Sequence, residues 1–266
     1  MLSARMSTLA SLRGTIGRLE GEPDGLSRVA LGHAGADAVL QGGLVRGALH
    51  EVFAEGGHHS AAATGFIAGL AHRLMGRRPL VWVRQDFTEM ESGALSMSGF
   101  SELGLDPRLL LTIRAADAET ALRAAADALA CDALGAVVLD LWGEVRALDL
   151  VASRRLTLAA RASHVACLVL RTAATPSAST AETRWIVSAA RSLPGTEAWG
   201  APMLDARLVR NRHGQTGQWI MEWKCDEGLF RDSIFREGAA HSQPVAAALA
   251  DRPLEAPAFG ARRRAG

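Results

Sequence analysis

The chain has 266 residues, 48% of them apolar and 21% charged, with 29 Lys plus Arg against 28 Asp plus Glu and a formal net charge of +1. That is the balance of a globular protein with a sizeable core, and it exerts no global pull toward nucleic acid or an acidic membrane, so any basic surface must be local. The longest apolar runs, such as 136–139 and 165–170, fall far short of the ~20 residues of a spanning helix. Residues 1–21 hold no apolar stretch of the signal-peptide kind, so a cytoplasmic location without membrane contact is expected.

In chain order, residues 3–20 set Met6, Leu9, Leu12, Ile16 and Leu19 at spacings of three and four, which predicts an amphipathic helix. Gly21, Pro23, Asp24 and Gly25 end it, so residues 1–25 read as an arm with Leu9, Leu12 and Ile16 as a candidate docking stripe. From Leu49 short apolar runs alternate with longer amphipathic stretches. Strands are expected at 49–53, 80–84, 109–113, 136–141 and 165–170, and helices at about 61–75, 88–103, 117–131 and 148–162. This alternation predicts an α/β fold, a mainly parallel central sheet flanked by helices. Residues 171–180 read as a loop and 181–191 as a further helix. Residues 203–210 and 218–223 alternate around 211–217 as in an antiparallel edge hairpin. Beyond Asp226 the chain turns charged, then rich in Ala and Pro, and closes on Arg262, Arg263 and Arg264; it is expected not to pack. The expected division is therefore an arm over 1–25, a core over 26–226 and a flexible or partner-binding tail over 227–266.

Cys131, Cys167 and Cys225 lie far apart, which suggests neither a disulfide framework nor a zinc site, and the first two read as core. Lys224 is the single lysine. The turn after the strand at 49–53 is where a nucleotide-hydrolysing α/β protein carries its phosphate loop. There backbone N–H groups cradle phosphate, a Lys reaches the outer oxygens and a Ser or Thr holds Mg²⁺. Here the segment reads Glu55, Gly56, Gly57, His58, His59, Ser60: the lysine is missing and Glu55 carries the wrong charge. Asp140 ends an apolar strand, as a metal-binding acid would or as any polar residue at a sheet's rim. Glu89 and Glu91 read as first-turn helix acids, and the His58–His59 pair as an exposed turn. Motifs of hydrolases, zinc proteases and dinucleotide binders are missing, so no catalytic residue, metal or cofactor is expected.

The segment from Gly42 to Phe53, GGLVRGALHEVF, resembles the lead-in to the phosphate loop of RecA-type proteins. Asp140 resembles their Walker B position, and the run Arg210-Asn211-Arg212-His213-Gly214 a basic strand end of RecA and RadA relatives; the lysine's place falls near Ser60. A RecA-like core without that lysine, with the N-terminal helix, Trp219, Trp223 and the ragged tail, resembles the ImuA family over about residues 5–236. The resemblance implies a RecA-like fold and an accessory role in SOS-induced, error-prone translesion DNA synthesis. The implied partner is an ImuB-type Y-family polymerase-like protein, with a specialised error-prone replicative-type DNA polymerase and RecA as further candidates. It also implies that RecA-type subunit contacts are redirected to partner binding.

The residues also have a physical reading of their own. Arg207, Arg210, Arg212 and Lys224 against Glu222 give the hairpin a local excess of positive charge for a partner's acidic face, for DNA phosphate, or merely for solvent. Trp219 and Trp223 fall on one face of a strand and read as core rather than as a base-stacking platform. The loop 171–180 has only Arg171 for charge, so weak or indirect DNA contact at most is expected. The Arg262–Arg264 cluster suits a tail that orders on a partner or simply solubilises the chain. Other readings are an atypical ATPase in which Arg210, Arg212 or a residue from a neighbouring molecule replaces the lysine, a single-stranded DNA-binding protein, and a SulA-like division inhibitor.

Overall fold

A computed structural model describes residues 27–191 and 201–232. The arm with Leu9, Leu12 and Ile16 and the terminal Arg262, Arg263 and Arg264 lie outside the described residues.

The chain enters through β1 (Arg28–Val29), which pairs antiparallel with β2 (Leu44–Val45) to form a small sheet, with helix α1 (Ala34–Val39) between them. His33 caps α1 by accepting from the Ala36 N–H at 3.2 Å. Gly43, in the lead-in segment, has φ +122°, and a Cβ there would run into the Val29 backbone, so only glycine lets the two strands meet.

The main sheet holds β3 (Leu49–Ala54), β4 (Leu80–Gln85), β5 (Leu110–Ala115), β6 (Ala136–Trp142), β7 (Ala166–Thr172), β8 (Thr183–Ala189), β9 (Met203–Asn211), β10 (Gly217–Lys224) and β11 (Leu229–Asp232). Their order is β11-β10-β9-β8-β3-β7-β6-β4-β5, parallel from β8 through β5 and antiparallel from β8 through β11. Strands β3, β6 and β7 are almost wholly buried on both faces, which is why their sequences are near-continuous apolar runs. Helix α2 (Ser60–Met75) covers one face, placing Phe66, Ile67, Leu70 and Leu74 among Val52, Trp82, Val138 and Leu168. Helices α5 (Ala118–Leu129) and α6 (Leu150–Ser163) cover the other through Ala121, Ala125, Leu129, Leu156 and Ala160. Asp117 and Asp149 cap these two helices, each accepting a backbone N–H at 2.7 Å. The molecule is thus α/β, a large mixed sheet of mostly parallel strands flanked by helices plus a small antiparallel sheet, an architecture consistent with a RecA-like fold.

Several expectations need correction. Residues 181–191 do not form a helix: Thr183–Ala189 is a strand between β3 and β9, with Thr183, Trp185 and Val187 buried in alternation. The β-branched Thr, Ile and Val favour that state, and it buries Trp185 fully. The helix expected over 88–103 is two, α3 (Asp86–Ser92) and α4 (Met97–Glu102), parted at Gly93. The hairpin β9–β10 is not the sheet edge, because β11 follows it: Phe230 is fully buried against Phe66 and Trp223, so the packed core runs past Asp226 to Asp232. Cys167 is buried as expected, but Cys131 is exposed.

Candidate functional site

Of the residues expected to mark a degenerate nucleotide site, Glu55 to Ser60 follow the C-terminal end of β3, whereas Asp140 does not end its strand: it lies buried within β6, with β7 between the two. Strand β3 stops at Ala54 and α2 starts at Ser60, so Glu55, Gly56, Gly57, His58 and His59 make the whole connection, the last three as a short 3₁₀ turn. The Glu55, Gly56 and His59 amides turn back on the protein, whereas those of Gly57 and His58 make no hydrogen bond among the described residues. Glu55 N–H donates to Val187 O at 2.9 Å, Gly56 N–H to Ala54 O at 2.8 Å and His59 N–H to Gly56 O at 3.2 Å, while Ser60 N–H donates to Gly57 O. These are the donors that a phosphate cradle aims outward.

The side chains close the turn further. The Glu55 carboxylate meets Arg207 at 3.1 Å. His59 Nδ1 accepts the Ala189 N–H at 3.2 Å, which ties the turn to the end of β8. Burial, aided by the neighbouring His58, lowers the His59 pKa and favours the neutral ring this bond requires. The His58 and His59 ring centroids stand 4.1 Å apart. From β6 the tip of the Trp142 indole lies 3.8 Å from where a Cβ on Gly57 would stand, so it flanks the turn.

Asp140 lies two residues before Trp142 on the same face of β6. It is buried, with Oδ2 3.1 Å from Arg84 Nε and 3.3 Å from Trp82 Nε1, and Oδ1 has no partner. Arg84 is anchored by donating to Gly93 O at 2.7 Å and to Ser92 Oγ at 2.6 Å. Burial raises the Asp140 carboxyl to about 6, against the opposing pull of Arg84 and Trp82. The carboxylate is matched by a fixed guanidinium where a metal-binding acid would face a cation. Among the described residues no cluster of three His, Cys, Asp or Glu side chains is placed to hold a metal ion.

The basic candidates disperse. Arg171 is not a loop residue: it lies in β7, is 3% exposed, donates to Gly143 O at 3.0 Å and stacks against Phe53, so it is not offered to DNA. The loop after it is pinned, Thr175 to Glu144 at 2.6 Å and Thr180 to Thr157 at 2.7 Å. Arg210 donates to Ser179 O at 2.9 Å, and Lys224 is held by Glu222 at 2.6 Å. Of the positive charges expected on the hairpin, Arg212 is exposed and has no ion pair among the described residues. Trp223 is buried, while Trp219 is half-buried beside Trp185 on the same face.

Sequence reasoning missed two features. The first is a set of buried ion pairs, Arg84–Asp140 and Arg184–Glu51 at 2.6 Å, which Glu51 and Arg84 announce as lone charges inside apolar strands. The second is an open apolar edge. Strand β5 ends the sheet with Leu111 52% and Ile113 37% exposed, and Phe87, Met90 and Met97 of α3 and α4 are exposed as well. A cleft between them is lined by Glu89, Leu95, Met97, Thr112, Ile113 and Arg114, and Arg114 pairs with Asp86 and Glu89 at 3.0 and 3.5 Å.

No helix among the described residues is long and apolar enough to cross a membrane. Compared with known proteins, the chain matches no protein-family model and no curated sequence.

Proposed function

We propose that the chain is a non-catalytic, RecA-like accessory protein of the ImuA kind, a scaffold in error-prone translesion DNA synthesis after DNA damage. Its direct partner on this reading is an ImuB-type Y-family polymerase-like protein, with an error-prone replicative-type polymerase and RecA as further members of the assembly. The observation that carries the reading is the state of the turn between β3 and α2. On a sheet otherwise suited to nucleotide chemistry, the Glu55, Gly56 and His59 amides are bonded inward, Glu55 is paired with Arg207, Trp142 stands beside Gly57 and Asp140 is matched by Arg84. A fold kept while its hydrolytic turn is closed is best used for contact. The unpaired edge β5, with Leu111 and Ile113 exposed, offers backbone donors and acceptors beside apolar side chains, the chemistry of strand addition by a partner.

The test is co-purification of tagged full-length protein with an ImuB-type partner, beside an Ile113→Asp variant and a version ending at Asp232. Retention by the full-length protein and the shortened version but not by Ile113→Asp supports edge docking. Loss on shortening moves the contact to the tail, and no retention by any version removes the reading.

A further inference from the structure

Helix α6 carries a second, separate surface. Its inner side is buried through Ser153, Leu156 and Ala160, and its outer side is not covered by any described residue. Three large apolar side chains stand out there: Leu150 is 53% exposed, Val151 57% and Leu158 54%. At about 100° per residue they share one continuous arc of the helix with Arg154, Arg155 and Arg161, which are all exposed. The helix contains no Asp or Glu. The cap Asp149 is engaged with the Ala152 N–H, and neither Glu119 nor Asp127 of the adjoining α5 comes within ion-pair distance of these arginines. Among the described residues the arc therefore combines unpaired positive charge with unburied aliphatic surface, in a chain whose net charge is only +1.

We infer that the outer face of α6 docks an acidic amphipathic segment of another protein, one that presents carboxylates to Arg154, Arg155 and Arg161 and aliphatic side chains to Leu150, Val151 and Leu158. Charge decides against the nearest rivals. In an isologous pairing of two copies the arginine rows would face each other, a like-charge cost. Residues 1–25 balance Arg5, Arg13 and Arg18 against Glu20, Glu22 and Asp24, and residues 233–266 carry five arginines against Glu237, Asp251 and Glu255, so neither arm brings a net negative charge to complement the arc. A DNA backbone would satisfy the arginines but leave the three aliphatic side chains in water. An anionic membrane surface favours interleaved Trp or Phe and a helix free to sink into the headgroups, whereas this one is fixed by its buried side. The inference goes beyond the accessory-protein reading and does not depend on it, since β5 lies at the far edge of the sheet and contributes nothing to this arc.

The experiment titrates the full chain into a fluorescein-labelled synthetic peptide with glutamates on one helical face and leucines on the other, and reads anisotropy. Comparison probes are the same peptide with serines for leucines, an oligothymidylate, and vesicles containing phosphatidylserine. Specific binding of the leucine peptide is expected. It should weaken by about tenfold or more in Arg154→Glu/Arg155→Glu and also in Leu158→Ser, but not in Ile113→Asp. Because the α6 residues changed are exposed, unaltered thermal melting shows that those variants still fold. No binding of the leucine peptide, binding indifferent to Leu158→Ser, or tighter binding of the oligothymidylate or the vesicles overturns the proposal. Any of these would leave the edge-docking reading of β5 standing, because that reading has its own partner and its own variant.

Discussion

The buried charges set the behaviour of single residues. Asp140, with its carboxyl raised to about 6 by burial, holds a proton in the folded state at a pH where the unfolded chain has already released it. Its contribution therefore makes the fold more stable as pH falls through about 6 toward the ordinary carboxylate range. His50 works the other way. Fully buried between the Thr183 hydroxyl at 2.8 Å and Val45 O at 2.9 Å, it is lowered to about 4, mainly by burial. Between its ordinary value and about 4 the unfolded chain takes up a proton that the folded one refuses, so His50 costs stability on acidification. Urea midpoints of wild type should be partly levelled across this window by the two opposed linkages. Asp140→Asn should fall more steeply on acidification than wild type, by on the order of 2 kcal/mol, because only the His50 linkage remains. A parallel pair of curves would show that Asp140 is not proton-linked. Arg84→Met should destabilise by about 3 kcal/mol near neutral pH, as it strands a buried carboxylate, and the double change with Asp140→Asn should recover part of that loss.

At the scale of elements, β11 is a clasp. Its Phe230 ring packs 5.2 Å from Phe66 and 4.7 Å from Trp223, its amide donates to Leu31 O at 3.0 Å, and His33 meets Asp232 at 2.7 Å. The clasp closes on α2 at Gly69, where an added Cβ would stand 2.6 Å from Phe230 and 3.0 Å from Trp223. Gly69→Ala should lower stability by about 1–3 kcal/mol despite alanine's better helix propensity, with thermal melting as the measure. An unchanged or raised midpoint would mean the clasp yields freely. Phe230→Ala should cost about 3–5 kcal/mol. A chain ended at Glu227 would therefore report an opened core rather than a lost tail, and for that reason the partner test ends the chain at Asp232.

For the whole molecule, the closed turn between β3 and α2 predicts indifference to nucleotide. Anything that binds the native state alone raises its melting temperature by mass action. Mg²⁺ with ATP at concentrations that saturate ordinary RecA-like sites should leave the midpoint where it was, and a rise of several degrees would overturn the closed-turn account. Ser60→Lys should not create ATP hydrolysis. A lysine restores one missing charge, whereas the amides of Glu55, Gly56 and His59 stay bonded inward and Glu55 keeps its negative charge in the turn.

The sequence by itself determined the parallel half of the sheet. Apolar runs such as 136–141 and 165–170, separated by amphipathic stretches, read directly because buried strands and one-sided helices each write their burial into local periodicity. It also determined what the turn lacks, since a missing lysine needs no structure to be seen. Tertiary structure alone decided the rest. Residues 183–189 became a strand because β3 and β9 had open ladders to fill, a condition set by residues more than a hundred positions away in the case of β3. Arg171 was drawn into β7 by its partner strands, and Glu55 and Glu51 found Arg207 and Arg184 across 152 and 133 positions of chain. Periodicity reports which side of an element is buried; which charge it meets there is fixed only when distant strands come together.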